Sequence, residues 1–296
     1  MPDIPNFHNT LTIEESICRI QIDRFFLSSV CVSLLHGMVA NWRIRPYNGL
    51  NSEYSSAMWS FMYEKFFKRI LDIVIAAVML IGFCWLYAIV ALLVRINLGK
   101  PVIFRQARPG RKGPDGKEKI FYLYKFRTMN NARDKQGRLL SDAQRLKRFG
   151  MRLRDTSLDE LPEAWNILKG DMSVIGPRPL LVRDMTFMTE EQRHRHDVTP
   201  GLSGLAQISG RNGINWEKRL DLDLKYAENI TLPEDIRIAF VTVGKVFRAE
   251  HVNSEGMATS EDFGDYLLRT GKIDRETYDR NQAEAERLLK EMEQDR

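Results

Sequence analysis

The sequence predicts an α/β fold: a mainly helical, membrane-associated domain with a small sheet, amphipathic helices at the interface and one re-entrant hydrophobic helix. Three observations predict it. Residues 73–94 (IVIAAVMLIGFCWLYAIVALLV) run for 22 positions without a charge. Residues 119–129 (KIFYLYKFRTM) are aromatic-rich and read as a strand, and several later segments repeat apolar positions at helical spacing.

Of 296 residues, 44% are hydrophobic and 28% charged, which speaks against a disordered chain and allows one sizeable core. Lys and Arg outnumber Asp and Glu by 44 to 39, a net charge of +5. That bias suits phosphates, nucleic acid or an anionic leaflet without choosing among them. Cys18, Cys31 and Cys84 show no C-x-x-C spacing, so neither a zinc site nor a disulfide framework is indicated, and a reducing compartment fits.

Taken in order, residues 25–40 are apolar but shorter than the roughly 20 positions a span needs. Ser28, Ser29, Ser33 and His36 interrupt them and no small-x-small site follows, so they read as part of a peripheral N-terminal extension, with a second membrane-contacting helix as the alternative, and not as a signal peptide. Residues 48–56 read as a linker. The charge-free run would be about 33 Å long as a helix, enough for a bilayer core; a helix buried in a soluble core is the alternative. Lys65, Lys68 and Arg69 precede it, and Arg95, Lys100, Arg105, Arg108, Arg111 and Lys112 follow it. Positive residues favour the cytoplasmic side, so both ends are expected there and the helix is expected to bend back, with Gly82 as the local breaking point.

Residues 102–110 (VIFRQARPG) are expected to close in a Pro-Gly turn, with a second turn at Gly113-Pro-Asp-Gly116. The strand that follows places Lys125 and Arg127 on one face. Residues 142–154 read as a basic amphipathic helix with Leu146, Phe149, Met151 and Leu153 among its apolar positions, either solvated or facing headgroups. Helices are expected at 161–169, ended by Gly170, and at 180–194, 216–227 and 233–248. The last of these carries Ile236, Ile238, Phe240, Val241 and Val246 on its apolar face. Residues 274–295 are expected to form an exposed, highly charged helix.

The chemistry concentrates in residues 157–179 (SLDELPEAWNILKGDMSVIGPRP), which hold the adjacent carboxylates Asp159 and Glu160, a third at Asp171, and Arg178 between Pro177 and Pro179. An anionic ligand held over carboxylates is the idea this composition raises. A nucleophilic aspartate beside a metal-binding glutamate suits phosphoryl transfer, because the metal neutralises a diphosphate and an acyl-phosphate splits one displacement into two. Magnesium suits carboxylate and phosphate oxygens without a complete protein cage. Arginines such as Arg178 and Arg211, the latter in a glycine-punctuated loop, can clamp phosphate oxygens bidentately. Ser157-x-x-Glu160 also matches a capping box, in which Glu160 would only bond the backbone at a helix start. Spacing alone leaves the two readings open.

From about Met62 to about Asp265 the chain resembles the small monotopic bacterial polyprenyl-phosphate phosphoglycosyl transferases. The motifs that carry the resemblance are Phe66-Phe-Lys-Arg-Ile-Leu-Asp72, Gln106-Ala-Arg-Pro-Gly110, Tyr124-Lys-Phe-Arg-Thr-Met129, Ser157-Leu-Asp-Glu-Leu-Pro162, Asn166-Ile-Leu-Lys-Gly-Asp-Met-Ser173, Ile175-Gly-Pro-Arg-Pro179 and Pro200-Gly-Leu-Ser-Gly-Leu-Ala-Gln207. The resemblance implies a membrane enzyme on the cytoplasmic face of the bacterial inner membrane. It would move a phosphosugar from a UDP-sugar to undecaprenyl phosphate, release UMP and start glycan assembly. Asp159 would be the nucleophile that forms a covalent phosphosugar, and Glu160 would hold Mg²⁺. Lys125, Arg154, Arg178, Arg211 and Asp235 fall at the family's functional positions and would bind substrate, with Arg178 and Arg211 on the nucleotide phosphates. Likeness to the smaller members implies a UDP-N-acetylhexosamine donor. Membrane lipids are expected partners and nucleic acid is not; a homodimer is left open. The rival reading is a noncatalytic membrane-surface protein that binds polyphosphates.

Two departures stand out. Where the family usually carries Ser-Pro in the membrane helix, this chain has Cys84-Trp85, so the bend must come from Gly82 or the helix runs straight. Residues 1–61 precede the usual family start, and Met62-Tyr-Glu-Lys looks like a natural beginning, so the extension reads as upstream of it. The expected organisation is a variable extension (1–61), a membrane-inserted helix (62–97), a catalytic domain (98–265) and a charged helical tail (266–296).

Overall fold

Residues 58–210, 214–247 and 261–294 are described by the computed structural model; of the extension expected at 1–61, positions 1–57 lie outside them. The charge-free run is helical but not straight. Helices α1 (Met58–Gly82) and α2 (Cys84–Leu98) meet at a bend of 63°. Phe83 makes the break by leaving the helical region, with φ −107° and ψ 18°, so no proline is needed. Among the described residues no single helix is long and apolar enough to cross a membrane.

Charges near the start of α1 fix it to the rest of the domain. Arg69, past a π-helical turn at Tyr63–Phe67, donates to the carbonyls of Ile167 and Leu168 at 2.6 and 2.8 Å. Asp72 accepts from Ser173 Oγ at 3.0 Å and Val174 N at 2.8 Å. Lys68 pairs with Asp235 at 2.5 Å. Two of the three basic residues that precede the charge-free run are therefore consumed inside the protein. Ala76 then packs on Phe121, Leu123, Ile167 and Met172, and Val90 and Val94 of α2 pack on Phe126 and Leu153.

Strands β1 (Ile103–Lys112) and β2 (Glu118–Phe126) form an antiparallel hairpin, paired from Ile103↔Phe126 to Pro109↔Ile120 with an irregular register beyond Pro109. The expected turn at Pro109-Gly110 is not there. The bulge accommodates a residue without an N–H, and the chain turns at Gly113, whose carbonyl accepts from Gly116 N at 3.0 Å. The basic helix expected over 142–154 is split into a single turn, α3 (Asp142–Arg145), and α4 (Arg148–Asp155). Leu146 between them is extended and bridges Met129. Gly150 lets α4 approach the chain after β2, since a Cβ there would lie 1.9 Å from the carbonyl oxygen of Thr128.

A 3₁₀ turn (Leu158–Glu160) leads into α5 (Glu163–Lys169), which Gly170 ends at φ 93° as the sequence predicts. Strand β3 (Ser173–Ile175) pairs in parallel with β4 (Gly201–Ser203), so the small sheet is two separate two-stranded pairs. The helix expected over 180–194 is instead two single turns, α6 (Val182–Met185) and α7 (Glu190–Arg193), followed by a 3₁₀ turn (His194–His196). Asp184 accepts from Leu181 N and, across the fold, from Phe263 N, both at 3.0 Å. Thr189 and Gln192 then form a capping box that starts a new turn.

After α8 (Leu205–Gly210) come α9 (Trp216–Glu228), α10 (Leu232–Phe247), α11 (Phe263–Arg269) and α12 (Arg275–Gln294). On α10, Ile238 is buried while Ile236, Phe240 and Val243 are exposed. The C-terminal helix is not simply exposed: Ala285 is buried against Ala107, Val182 and Met185, with Leu288, Leu289 and Met292 partly covered beside Ile120 and Tyr122.

Candidate active site

The candidate site forms where α4 ends. Ser157 takes a left-handed conformation, φ 54° and ψ 17°, a strained geometry for a residue with a side chain. It turns the chain so that the following 3₁₀ turn aims Asp159 and Glu160 inward. The capping box is not formed: the Ser157 side chain makes no cap bond. Glu160 Oε1 instead accepts from Lys125 Nζ at 2.8 Å and Arg178 Nη2 at 2.5 Å. Lys125 arrives from β2 and Arg178 from the turn after β3, so three separate elements meet on one carboxylate oxygen.

Electrostatics separate the two adjacent acids. Burial alone would raise the Glu160 carboxyl, but Arg178 and Lys125 outweigh it and hold it well below the usual carboxylate range. Asp159 is buried, and its carboxylate accepts no hydrogen bond among the described residues. Burial and the neighbouring Glu160 charge push it up to about 7, against the opposing pull of Lys125 and Arg154. Arg178 is raised by Glu160; Lys125 is raised because Glu160 and Glu163 overcome its burial.

The remaining predicted residues divide. Arg154 donates from Nε to Thr128 Oγ1 at 3.1 Å and acts electrostatically on Asp159. Asp235 does not share partners with this cluster. Its Oδ2 accepts from Tyr63 OH at 2.6 Å and Lys68 Nζ at 2.5 Å, and its Oδ1 from Tyr226 OH at 2.6 Å. Asp171 pairs with Lys169 at 2.8 Å. Arg127, expected beside Lys125, donates instead to the carbonyls of Lys100 and Leu98 after the strand has ended. Arg211 lies outside the described residues.

Sequence reasoning missed Glu163 and Arg108. Glu163 is buried with Oε1 3.0 Å from Lys125 Nζ; its position four after Asp159 was the available signal. Half-buried Arg108 donates to the Pro179 carbonyl at 3.2 Å and is pushed down to about 10 by burial and then by Arg178.

Residues 63–249 match the family described as bacterial sugar transferase, which is more than half of the chain. The chain belongs to the bacterial sugar transferase family. The sugar transferase EpsL of Bacillus subtilis (strain 168), itself uncharacterized, is 43% identical over 196 residues, covering 66% of this chain and 95% of the relative. A UDP-glucose:undecaprenyl-phosphate glucose-1-phosphate transferase of Klebsiella pneumoniae is 38% identical over 191 residues, 61% of this chain and 40% of the relative. An undecaprenyl-phosphate galactose phosphotransferase of Salmonella typhimurium is 34% identical over 204 residues, 63% of this chain and 42% of the relative. The chain thus spans nearly all of a short relative and less than half of these longer ones.

In this bacterial sugar transferase, Glu163 competes with Glu160 for Lys125 and adds to the field that raises Asp159. Glu163→Gln removes that charge and leaves the shape. The acid limb of the pH profile of kcat/KM is expected to move to lower pH, with the high-pH plateau within about threefold of wild type. An unmoved acid limb would mean that Glu163 has no influence on the group that titrates.

Proposed function

We propose that this chain transfers a phosphosugar from a UDP-sugar to undecaprenyl phosphate through a covalent intermediate on Asp159, releasing UMP. The observation that carries the reading is the division between two adjacent carboxylates. Glu160 is held ionised by two cations, whereas Asp159 is buried, raised to about 7 and not hydrogen-bonded by a described residue. A carboxylate so placed is a poor structural partner and an available nucleophile.

In the first step ionised Asp159 attacks the β-phosphorus, and the bond from that phosphorus to the oxygen of UMP breaks. In the second step an oxygen of undecaprenyl phosphate attacks the same phosphorus. The acyl-phosphate bond breaks, the Asp159 carboxylate is restored and a lipid-linked diphosphosugar leaves. Arg178 and Arg211 hold the donor phosphates, with Lys125 and Arg154 adding positive charge beside Asp159. Glu160 fits Mg²⁺: both cations use its Oε1, and magnesium accepts one or two carboxylates completed by substrate phosphates. The described residues gather no group of three ligands, so substrate phosphates and water would have to complete the coordination of an ion on Glu160. The ion would supply charge neutralisation of the diphosphate. Asp235 is given an anchoring role in place of the substrate contact that the resemblance implies.

The bent pair α1–α2 is proposed to enter the cytoplasmic leaflet and return. Ile70, Val74, Val78 and Ile81 on one arm, and Trp85, Ile89, Leu92 and Ile96 on the other, are exposed apolar stripes at helical spacing. At about 1.5 Å per residue α2 is roughly 22 Å long, shorter than a bilayer core of about 30 Å.

The test is UMP release by protein in detergent with undecaprenyl phosphate, Mg²⁺ and a panel of UDP-glucose, UDP-galactose and UDP-N-acetylhexosamines, the last being the expected donors. Multiple turnovers that require both lipid and metal, with no more than about one UMP released per enzyme when lipid is left out, support the reading. Donor binding that weakens with salt and gives no release from any sugar would favour a noncatalytic polyphosphate-binding protein.

A further inference from the structure

The carbonyls of the Gly-Pro-Arg-Pro turn are tied down one after another. Pro177 O accepts from Gly201 N at 2.9 Å, Arg178 O from Arg195 Nη2 at 2.6 Å, and Pro179 O from Arg108 Nη1 at 3.2 Å. Proline rings on either side fix φ within the turn, and these bonds, with the one from Gly176 N to Ser203 O at 2.8 Å, fix the turn against the rest of the protein. The Arg178 side chain is 39% exposed, so its reach to Glu160 depends on where its backbone stands.

Arg195 is the most elaborately held of the three donors. It is almost wholly buried, and Nε and Nη2 bond Asp223 Oδ2 at 3.1 and 2.8 Å. Its Nη1 lies 3.0 Å from His196 Nε2. An arginine only donates, so His196 Nε2 accepts and the ring proton sits on Nδ1. That proton points to Glu118 Oε1 at 3.2 Å, and Arg193 grips Glu118 through Nε and Nη2 at 2.8 and 2.5 Å. The hydrogen-bond chain runs from the start of β2 to the backbone of Arg178, and each member makes the next one's geometry unique.

We infer that Arg195, held by Asp223 and His196, is a positioning residue that sets the aim of Arg178 by fixing its carbonyl. This rests on the proposed reading of Arg178 as a clamp on the donor phosphates. Arg195 touches neither carboxylate of the site and acts only through the turn. A lysine in its place keeps the charge but cannot serve Asp223, His196 and Arg178 O together.

The test is a double-mutant cycle on steady-state kinetics with whichever UDP-sugar of the panel wild type turns over fastest. Arg195→Lys is expected to lower kcat/KM for the donor by about 10- to 100-fold, the scale for misplacing a phosphate-holding group by a fraction of an ångström to an ångström. KM for the donor should rise while KM for undecaprenyl phosphate stays within about twofold. In an Arg178→Ala background the same substitution should cost less than about twofold. An equal loss in both backgrounds, or an equal rise in both KM values, would overturn the inference. If Arg195→Lys does not fold, Asp223→Asn is read by the same cycle, with a smaller loss that must also vanish without the Arg178 side chain. Wild-type turnover by Arg178→Ala alone would instead overturn the clamp reading, and this inference with it.

Discussion

Asp159→Asn is expected to abolish turnover, by about 10⁴-fold or more, and at the same time to stabilise the protein at alkaline pH. The first part follows from the loss of the only group proposed to bond the phosphosugar. The second follows from its environment. Asp159 is buried and raised to about 7 from an ordinary value of 3.8, so the fold favours the protonated acid. Stability from that preference is complete below the unfolded value and is lost as pH rises from about 4 through 7. Wild type at pH 8 carries an ionised carboxylate that the fold disfavours, and asparagine carries none. At 1.36 kcal/mol per pKa unit, the difference is on the order of 2–4 kcal/mol, several degrees in Tm for a chain of this size. Melting curves at pH 5 and pH 8 check it: the variant should exceed wild type at pH 8 and the gap should narrow at pH 5. A variant that melts below wild type at pH 8 would remove the electrostatic account of Asp159.

Much of this site was legible because its parts lie close in sequence. Asp159, Glu160 and Arg178 fall within 20 residues, and the strand carrying Lys125 was legible, although its period also put Arg127 on that face and the strand ends at Phe126 before it. Local signals that require no distant partner also held, as at Gly170. The failures share a cause. Residues 180–194 have helical periodicity, but Asp184 is tied to Phe263 N, 79 positions away, and Thr189 restarts the chain with its own cap. A periodicity reading counts apolar positions and sees neither bond. The Pro-Gly at 109–110 carries strong turn chemistry, yet pairing with β2 overrides it through a bulge. Leu146 looked like a helix position because its bridge partner Met129 is remote in the pattern.

The capping box shows how a short motif misleads in the other direction. Ser157 and Glu160 stand at capping-box spacing, but forming the box would spend the Glu160 carboxylate on a backbone N–H. Lys125 and Arg178 offer it two charge-assisted bonds, each roughly twice as strong as a neutral one. Ser157 meanwhile adopts a left-handed conformation that costs on the order of 1–2 kcal/mol. A strained residue two positions before the two candidate carboxylates is where local preference and the needs of a proposed site part company.

Asp235 carries the other large expected effect, on folding more than on chemistry. It is buried and its two oxygens are already occupied by Tyr63, Lys68 and Tyr226. Those partners come from α1 and α9, so this carboxylate on α10 pins α1 to the rest of the domain. Asp235→Ala leaves the Lys68 ammonium buried without its counter-charge, a loss of about 3–5 kcal/mol, and turnover should fall with the folded fraction. An anchor can be replaced by a neutral one, whereas a substrate contact cannot. Lys68→Met combined with Asp235→Asn removes both charges, keeps acceptors for the two phenols and is expected to recover most of the stability and of the turnover per folded molecule. Thermal melting and UMP release on the single and double variants separate the two roles. A double variant that folds as wild type yet gives no release would return Asp235 to the substrate site.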